Sequence, residues 1–279
     1  MSSVKEIKKR IKSVKDTQKI TNAMYLVASA KLTTSKALIN SFRPYFNEVA
    51  KQAQAILKTV NPSDSIYTRT DLPGNKACLV IGSDKGLAGD FNKQIAKCAA
   101  NYSAGNPDTV IYVIGEKVKQ ILKNEGVKYD KSFNHSVKKP DDEAAVCLEN
   151  EFKKLYKDGV ISSLDVIYTD FGNGVNHKPV ISKILPVETG GDAYGDTGEF
   201  IPNKKTVTDI VIPLYLRAQI WAILYNSFCS EQNSRMTAMK NANDNAKDLL
   251  SQLTLEYNHV RQNAITREIT EISGERSKS

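Results

Sequence analysis

Apolar residues recur in steps of three and four from the start of the chain to Ile56, which is the spacing of a coiled-coil seam. The seam positions are Val4, Ile7, Ile11, Val14, Gln18, Thr21, Tyr25, Ala28, Leu32, Ser35, Ile39, Phe42, Phe46, Val49, Ala53 and Ile56. No glycine occurs before Gly74, so the pattern predicts one helix from Val4 to Lys58. Pro44 lies inside this stretch and predicts a kink or a short break near Arg43.

A second long helix is predicted to start after Thr208, with Pro213 in its first turn, where proline is tolerated. Neither glycine nor proline follows until Gly274. Its heptad seam comprises Met236, Met239, Ala246, Leu250, Leu253, Tyr257, Val260 and Ala264. Because a long helix owes most of its stability to a packed face, we expect each terminal helix to need the other.

Between the two helices the chain changes to short β-rich runs that alternate with helical patterns, which is typical of βαβ units and a parallel sheet. The predicted strands are Ala77–Ile81, Val110–Ile114 and Leu164–Phe171, with an edge strand at Val180–Val187. The predicted helices are Phe91–Tyr102, Glu116–Asn124 and Asp141–Lys157. The fold class is therefore α/β, with a central domain at 75–208 between helical segments at 1–60 and 209–279. Gly190–Gly198 is predicted to be a flexible loop.

The charge of the chain is concentrated at one end. The net charge is +8 overall, yet Met1–Lys58 carries +9 and the remaining residues carry −1. A basic helix of this kind, including Lys8, Lys9, Arg10 and Lys12, is expected to face an acidic partner surface. Nucleic acid is an open alternative, since clustered Lys and Arg can bind phosphates. The aromatic residues of this segment fall on or near the apolar seam, which favours packing over base stacking.

The composition gives little support to catalysis, metal binding or membrane insertion. Four widely spaced cysteines and three isolated histidines form neither a metal motif nor a catalytic pattern, so no metal, cofactor or catalytic residue is expected. Pro213, Arg217 and Gln219 interrupt the most apolar stretch, Ile210–Tyr225, which is too short to span a bilayer. The lysine-rich start lacks the features of a secretory signal, and we expect a cytoplasmic protein.

A glycine-rich run, GSDKGLAGDFN at Gly82–Asn92, follows the first predicted strand and precedes a helix. Phosphate is often bound at this position in α/β proteins. The glycine spacing fits neither the dinucleotide nor the P-loop fingerprint, so a structural turn formed by Ser83, Asp84, Lys85, Gly86 and Gly89 is the preferred interpretation. A nucleotide-binding α/β enzyme with helical arms is the alternative.

Three runs, in this order along the chain, resemble the gamma subunit family of F-type ATP synthases. They are IKSVKDTQKITNAMYLVASAKL at Ile11–Leu32, SDKGLAG at Ser83–Gly89, and SRMTAMKNANDNA at Ser234–Ala246 continued by YNHVRQNAITREITEI at Tyr257–Ile272. Together they extend almost from end to end of the sequence. The last run is highly specific.

The resemblance implies an antiparallel coiled coil of the terminal helices with a Rossmann-like α/β domain between them. It also implies a non-catalytic rotor subunit whose partners are the alpha and beta subunits of a catalytic hexamer, an epsilon subunit and a membrane c-ring. Nucleic acid and direct small-molecule substrates are not implied, and the expected place is the cytoplasmic face of the bacterial plasma membrane, as a peripheral protein. Torque contacts are implied at Met24, Arg235, Gln262, Thr266, Glu268 and Glu271.

Overall fold

A computed structural model provides the structure of the chain. The structure describes residues 4–59, 65–136, 140–172, 178–188, 200–201 and 203–276, with the side chains of 271–276 left out. The predicted loop at Gly190–Gly198 lies outside the described residues. The helices are α1 (Val4–Leu57), α2 (Phe91–Gly105), α3 (Glu116–Asn124), α4 (Asp142–Lys157) and α5 (Lys204–Arg276), and the strands are β1 (Asn75–Ile81), β2 (Val110–Ile114), β3 (Ile161–Thr169) and β4 (Pro179–Leu185).

The four strands form one sheet in the order β2-β1-β3-β4. β1 pairs in parallel with β2 and with β3, and β4 is an antiparallel edge strand beside β3. The α/β fold class and the edge strand are thus confirmed. The predicted strand at Leu164–Phe171 is displaced in the structure, because β3 begins at Ile161 and ends at Thr169.

The chain divides into two compact units. The first, called here the terminal unit, comprises Met1–Ser29 and Arg235–Ser279, so it joins the start of α1 to the end of α5. The second, the central unit, comprises Ala30–Ser234 and contains the whole sheet. Two segments far apart in sequence therefore pack together, as the apolar seams predict.

Helix α1 confirms its predicted seam almost completely. Every predicted seam position is buried or half-buried except Phe42, which is 42% exposed. Of the predicted kink or short break near Arg43, the break is wrong, because α1 runs through Pro44 without interruption, and the kink stays a prediction. In the central unit, Trp221 of α5 lies 5.3 Å from the ring of Phe42 and 4.5 Å from that of Phe46. These aromatic contacts on both sides of Pro44 offset the loss of stability caused by the missing backbone hydrogen bond at the proline.

Helix α5 begins at Lys204, earlier than predicted, so Pro213 lies inside the helix rather than in its first turn. The apolar stretch around Pro213 belongs to the main core of the central unit: Ile212, Leu216 and Ile220 are at most 5% exposed and cluster with side chains of the sheet. This burial explains how the helix tolerates the proline, since tertiary packing outweighs local propensity. By length and composition alone α5 is apolar enough to cross a membrane, yet 44% of its most apolar stretch is buried, and packing against the sheet accounts for these apolar side chains.

A buried carboxylate connects α4 to α5 within the central unit. The side chain of Glu149 is fully buried, and its two oxygens lie 2.7 Å from Nε of Arg217 and 2.6 Å from Nζ of Lys153. Lys153 and Arg217 are both partly exposed, so they neutralise the buried carboxylate while losing little of their own hydration. Sequence reasoning missed this group, although Glu149 falls on the apolar face of α4 with Ala145, Phe152 and Tyr156.

Replacing Glu149 by Gln should lower the free energy of unfolding by about 2 kcal/mol, because the hydrogen bond from Arg217 loses its charge and the ion pair with Lys153 is removed. Urea unfolding of the full chain measures the effect. Glu143→Gln is the matched control, since Glu143 is exposed on the same helix and its removal should cost no more than about 0.5 kcal/mol. Equal losses in the two variants would contradict a buried anchor.

Candidate functional site

The terminal unit is held by a thin seam of mainly small and apolar side chains. On α1 the buried seam residues are Ile7, Thr21 and Ala28, and on α5 they are Met239, Ala246 and Leu253. Small residues allow two helix backbones to approach closely, although they bury little apolar surface. Thr21 adds no unpaired polar group, because its hydroxyl donates to the carbonyl of Gln18 at 3.0 Å.

The basic residues of α1 lie away from this seam. Lys8, Lys9, Arg10 and Lys12 are all exposed, whereas Ile7 is 1% exposed. One helix face therefore packs, and the other presents a field of positive charge to the surroundings. We call the four residues Lys8, Lys9, Arg10 and Lys12 the basic face.

The residues expected to make torque contacts lie in different environments. Gln262, Thr266 and Glu268 are exposed on α5, and Met24 on α1 is half-buried. The hydroxyl of Thr266 donates to the carbonyl of Gln262 at 3.0 Å, so it faces the surroundings as an acceptor only. Glu271 falls outside the residues whose side chains are described.

Arg235 differs from the other expected contacts, because only 8% of it is exposed. Interactions within the chain hold it. About 27 positions separate it from Gln262, which corresponds to roughly 40 Å along a helix. The structure therefore does not bring the expected contacts into one site: exposed polar groups near the end of α5 are separate from a largely buried arginine.

The turn at Ser83–Gly89 uses its polar groups internally. Ser83 is 2% exposed, its N–H donates to Oδ1 of Asn92 at 3.0 Å, and its hydroxyl donates to the carbonyl of Lys85 at 2.7 Å. The carboxylate of Asp84 accepts from the N–H of Glu116 at 3.2 Å. Gly89 has φ of 56°, a conformation that glycine adopts without strain. These contacts favour a structural role for the turn.

Helix α5 covers the edge of the sheet where α/β proteins bind ligands. In an open parallel sheet that position lies at the carboxyl ends of adjoining strands whose connections run in opposite directions, here β1 and β3. The hydroxyl of Ser227 lies 3.5 Å from the carbonyl of Ile81, and that of Ser230 donates to the carbonyl of Thr169 at 3.2 Å. Sequence reasoning missed both serines. They could have been recognised as polar residues on an otherwise apolar face of the helix.

The fold is that of the central stalk of ATP synthases. It superposes on a chain of the Euglena gracilis mitochondrial ATP synthase in an OSCP/F1/c-ring structure with a TM-score of 0.69, covering 98% of this chain and 93% of that chain at 15% identity. A chain of the Tetrahymena thermophila mitochondrial ATP synthase central stalk and c-ring gives a TM-score of 0.60, covering 80% of this chain and 99% of that chain at 20% identity.

The sequence comparisons are more specific. The family model described as ATP synthase matches residues 3–275. The ATP synthase gamma chain of Clostridium novyi is 35% identical over 271 residues, covering 96% of this chain and 95% of the relative. That of Staphylococcus carnosus is 34% identical over 285 residues, covering 98% of both. The chain belongs to the ATP synthase gamma chain family.

Family membership confirms the resemblance stated from the three sequence runs, and it confirms that the chain is a non-catalytic stalk subunit rather than an enzyme. The packing of α5 over the carboxyl ends of β1 and β3 agrees with this conclusion, because a nucleotide would need that space. Among the described residues, no group of three or more His, Cys, Asp or Glu side chains could hold a metal ion.

Replacing Asn92 by Ala should lower the free energy of unfolding by about 1–3 kcal/mol, because the buried N–H of Ser83 loses its acceptor. Asn101→Ala is the control, since Asn101 is exposed on the same helix and alanine favours helix. Denaturant midpoints of the two variants give the comparison. An unchanged midpoint in Asn92→Ala would show that the turn does not depend on this amide.

Proposed function

We propose that this chain is the rotating shaft of an F-type ATP synthase, turning inside a catalytic hexamer of alpha and beta subunits while attached to a membrane c-ring. The main support is a gamma-chain family match that includes both terminal helices and the central domain. The related structures are described as central stalk, rotor, F1 and c-ring assemblies. An epsilon subunit bound to the central unit completes the proposed partner set.

The shaft acts mechanically. An asymmetric shaft makes different contacts with each catalytic subunit, and each orientation therefore favours a different conformation and nucleotide affinity. The chain supplies no group to the chemical step. Ion flow through the membrane ring turns the shaft during synthesis, and hydrolysis on the catalytic subunits turns it in the opposite direction.

The polar surface of the terminal unit provides the proposed contacts with the ring. The basic face attracts acidic loops, while Gln262, Thr266 and Glu268 exchange hydrogen bonds with successive subunits as the shaft turns. Ion pairs exposed to water are weak, because water solvates the separated charges. They can therefore break and re-form at each step. Met24, Arg235 and Glu271 belong to the same proposal. Arg235 acts mainly by fixing the local shape of α5, because it is largely buried.

The complex to which gamma chains belong is membrane-associated. We place this chain at the cytoplasmic face of the bacterial plasma membrane, as a peripheral subunit. The gamma chains of Clostridium novyi and Staphylococcus carnosus, to which this chain is similar, are from bacteria.

Reversing the basic face with Glu at Lys8, Lys9, Arg10 and Lys12 should reduce ion-driven ATP synthesis at least tenfold in reconstituted complexes. The four substitutions replace attraction to acidic loops by repulsion, while the central unit stays folded. ATP synthesis driven by an imposed ion gradient in vesicles measures the coupling, and circular dichroism of the purified chain monitors the fold.

A matched control reverses four exposed lysines of the central unit: Lys97, Lys123, Lys128 and Lys131. This variant carries the same change in net charge, and its synthesis rate should stay within about twofold of the original because surface charges distant from the ring interact weakly. Equal rates in the two variants would contradict the proposed role of the basic face.

A further inference from the structure

Cys147, His135 and Glu151 form a cluster that the stalk function does not use. Nε2 of His135 lies 2.5 Å from Oε2 of Glu151, and its Nδ1 lies 4.0 Å from Sγ of Cys147. Cys147 and Glu151 are one helical turn apart on α4, and His135 comes from the segment that precedes this helix. The three groups are thus ordered as thiol, imidazole and carboxylate.

The carboxylate fixes which ring nitrogen of His135 carries a hydrogen. An ionised Glu151 can only accept, so Nε2 donates to it, and in the neutral ring Nδ1 presents its lone pair to the thiol. This is the arrangement by which a histidine removes the proton of a cysteine nucleophile while an acid orients the ring. The negative charge of Glu151 also stabilises the imidazolium that results.

The ring of His135 is held in place from outside the cluster. Its centroid lies 4.7 Å from that of Phe133, which is 3% exposed and packs on Tyr112 at 5.2 Å. The next residue, Ser136, donates its hydroxyl to Oδ2 of Asp84 at 2.7 Å. Contacts on both sides of His135 therefore restrict the position of Nδ1, so the ring can act on the thiol without a large rearrangement.

The other three cysteines lie in surroundings that suppress the thiolate. Burial raises the pKa of Cys78 and that of Cys98, and it raises the pKa of Cys229 to about 11. Cys78 and Cys229 are fully buried, whereas Cys147 is exposed. The thiolate is the form that reacts, so Cys147 is the cysteine best placed to meet a reagent from solution.

We propose that Cys147, His135 and Glu151 form a reactive-thiol site at which Cys147 exchanges with small disulfides and becomes a mixed disulfide. His135 removes the proton of the thiol, and the Cys147 sulfur attacks one sulfur of the disulfide. The new S–S bond forms as the original S–S bond breaks, the other half of the disulfide leaves as a thiolate, and the proton held by His135 passes to water. Cys147 is oxidised and the released half of the disulfide is reduced, so no further reagent is needed.

Comparing two carboxylates on α4, Glu143 and Glu151, distinguishes a specific role of Glu151 from a general effect of negative charge. Glu143 and Glu151 are four residues before and four residues after Cys147, and both oppose a thiolate by like charge. Of these two carboxylates, it is Glu151 that forms an ion pair with the ring of His135 in the structure. Other titratable groups near the cluster include Asp84, whose carboxylate accepts from Ser136 beside His135, and Tyr112, whose pKa is raised by burial and by the charges of Asp130 and Glu151.

The test uses the purified full-length chain and dithiobis-nitrobenzoate, an aromatic disulfide whose released thiolate is coloured. Peptide mass spectrometry assigns the modified cysteine, which should be Cys147 before any other. At about pH 6, where an unassisted thiol is almost entirely protonated, His135→Gln should slow the reaction of Cys147 about tenfold. At about pH 8 the difference should fall below roughly threefold, because thiolate is then abundant without help.

Glu151→Gln should slow the reaction at low pH, whereas Glu143→Gln should leave it unchanged or faster. Near-ultraviolet circular dichroism shows that each variant keeps its fold. Equal rates for the original chain and His135→Gln at low pH would overturn the proposal. Modification of another cysteine before Cys147, or equal slowing in the Glu143 and Glu151 variants, would overturn it as well.

Discussion

The contact between α5 and the sheet is the interaction on which the rest of the molecule depends. Leu216, Ile220 and Trp221 are almost fully buried in the same core as the strands, and two serines of the helix bond to strand carbonyls. The same helix continues without a glycine or a further proline into the terminal unit. Helix α5 therefore contributes residues to both units. Its packing on the sheet also fills the space at the carboxyl ends of β1 and β3, where an α/β enzyme would bind its ligand.

Periodicity predicted the features that repeat along the chain. The seam of α1 was correct at every position but Phe42, and the seam residues of α5 that carry buried side chains, Met239, Ala246 and Leu253, were identified. These predictions succeed because a coiled-coil seam depends on spacing alone. The fold class, the parallel βαβ units and the absence of a nucleotide fingerprint follow from equally local patterns.

Single tertiary contacts were beyond the reach of the sequence. Pro44 predicts a kink or a short break, yet α1 is continuous through it, with Phe42 and Phe46 packed on Trp221. Pro213 predicts a helix start, yet the core residues around it extend α5 back to Lys204. Glu149 could not be identified as an anchor because its partner Arg217 lies 68 positions away. Likewise, Cys147 and His135 look isolated in sequence and meet only in the fold.

The central claim is that this chain rotates within its complex, and single-molecule observation tests it most directly. The catalytic hexamer is fixed to a surface, a bead is attached through Lys97→Cys on the exposed face of α2 in a chain that also carries Cys147→Ser, and ATP is added. The account predicts unidirectional rotation of the bead in three main steps per turn, which stops when ATP is removed. A bead that stays still while the same complexes hydrolyse ATP would contradict it.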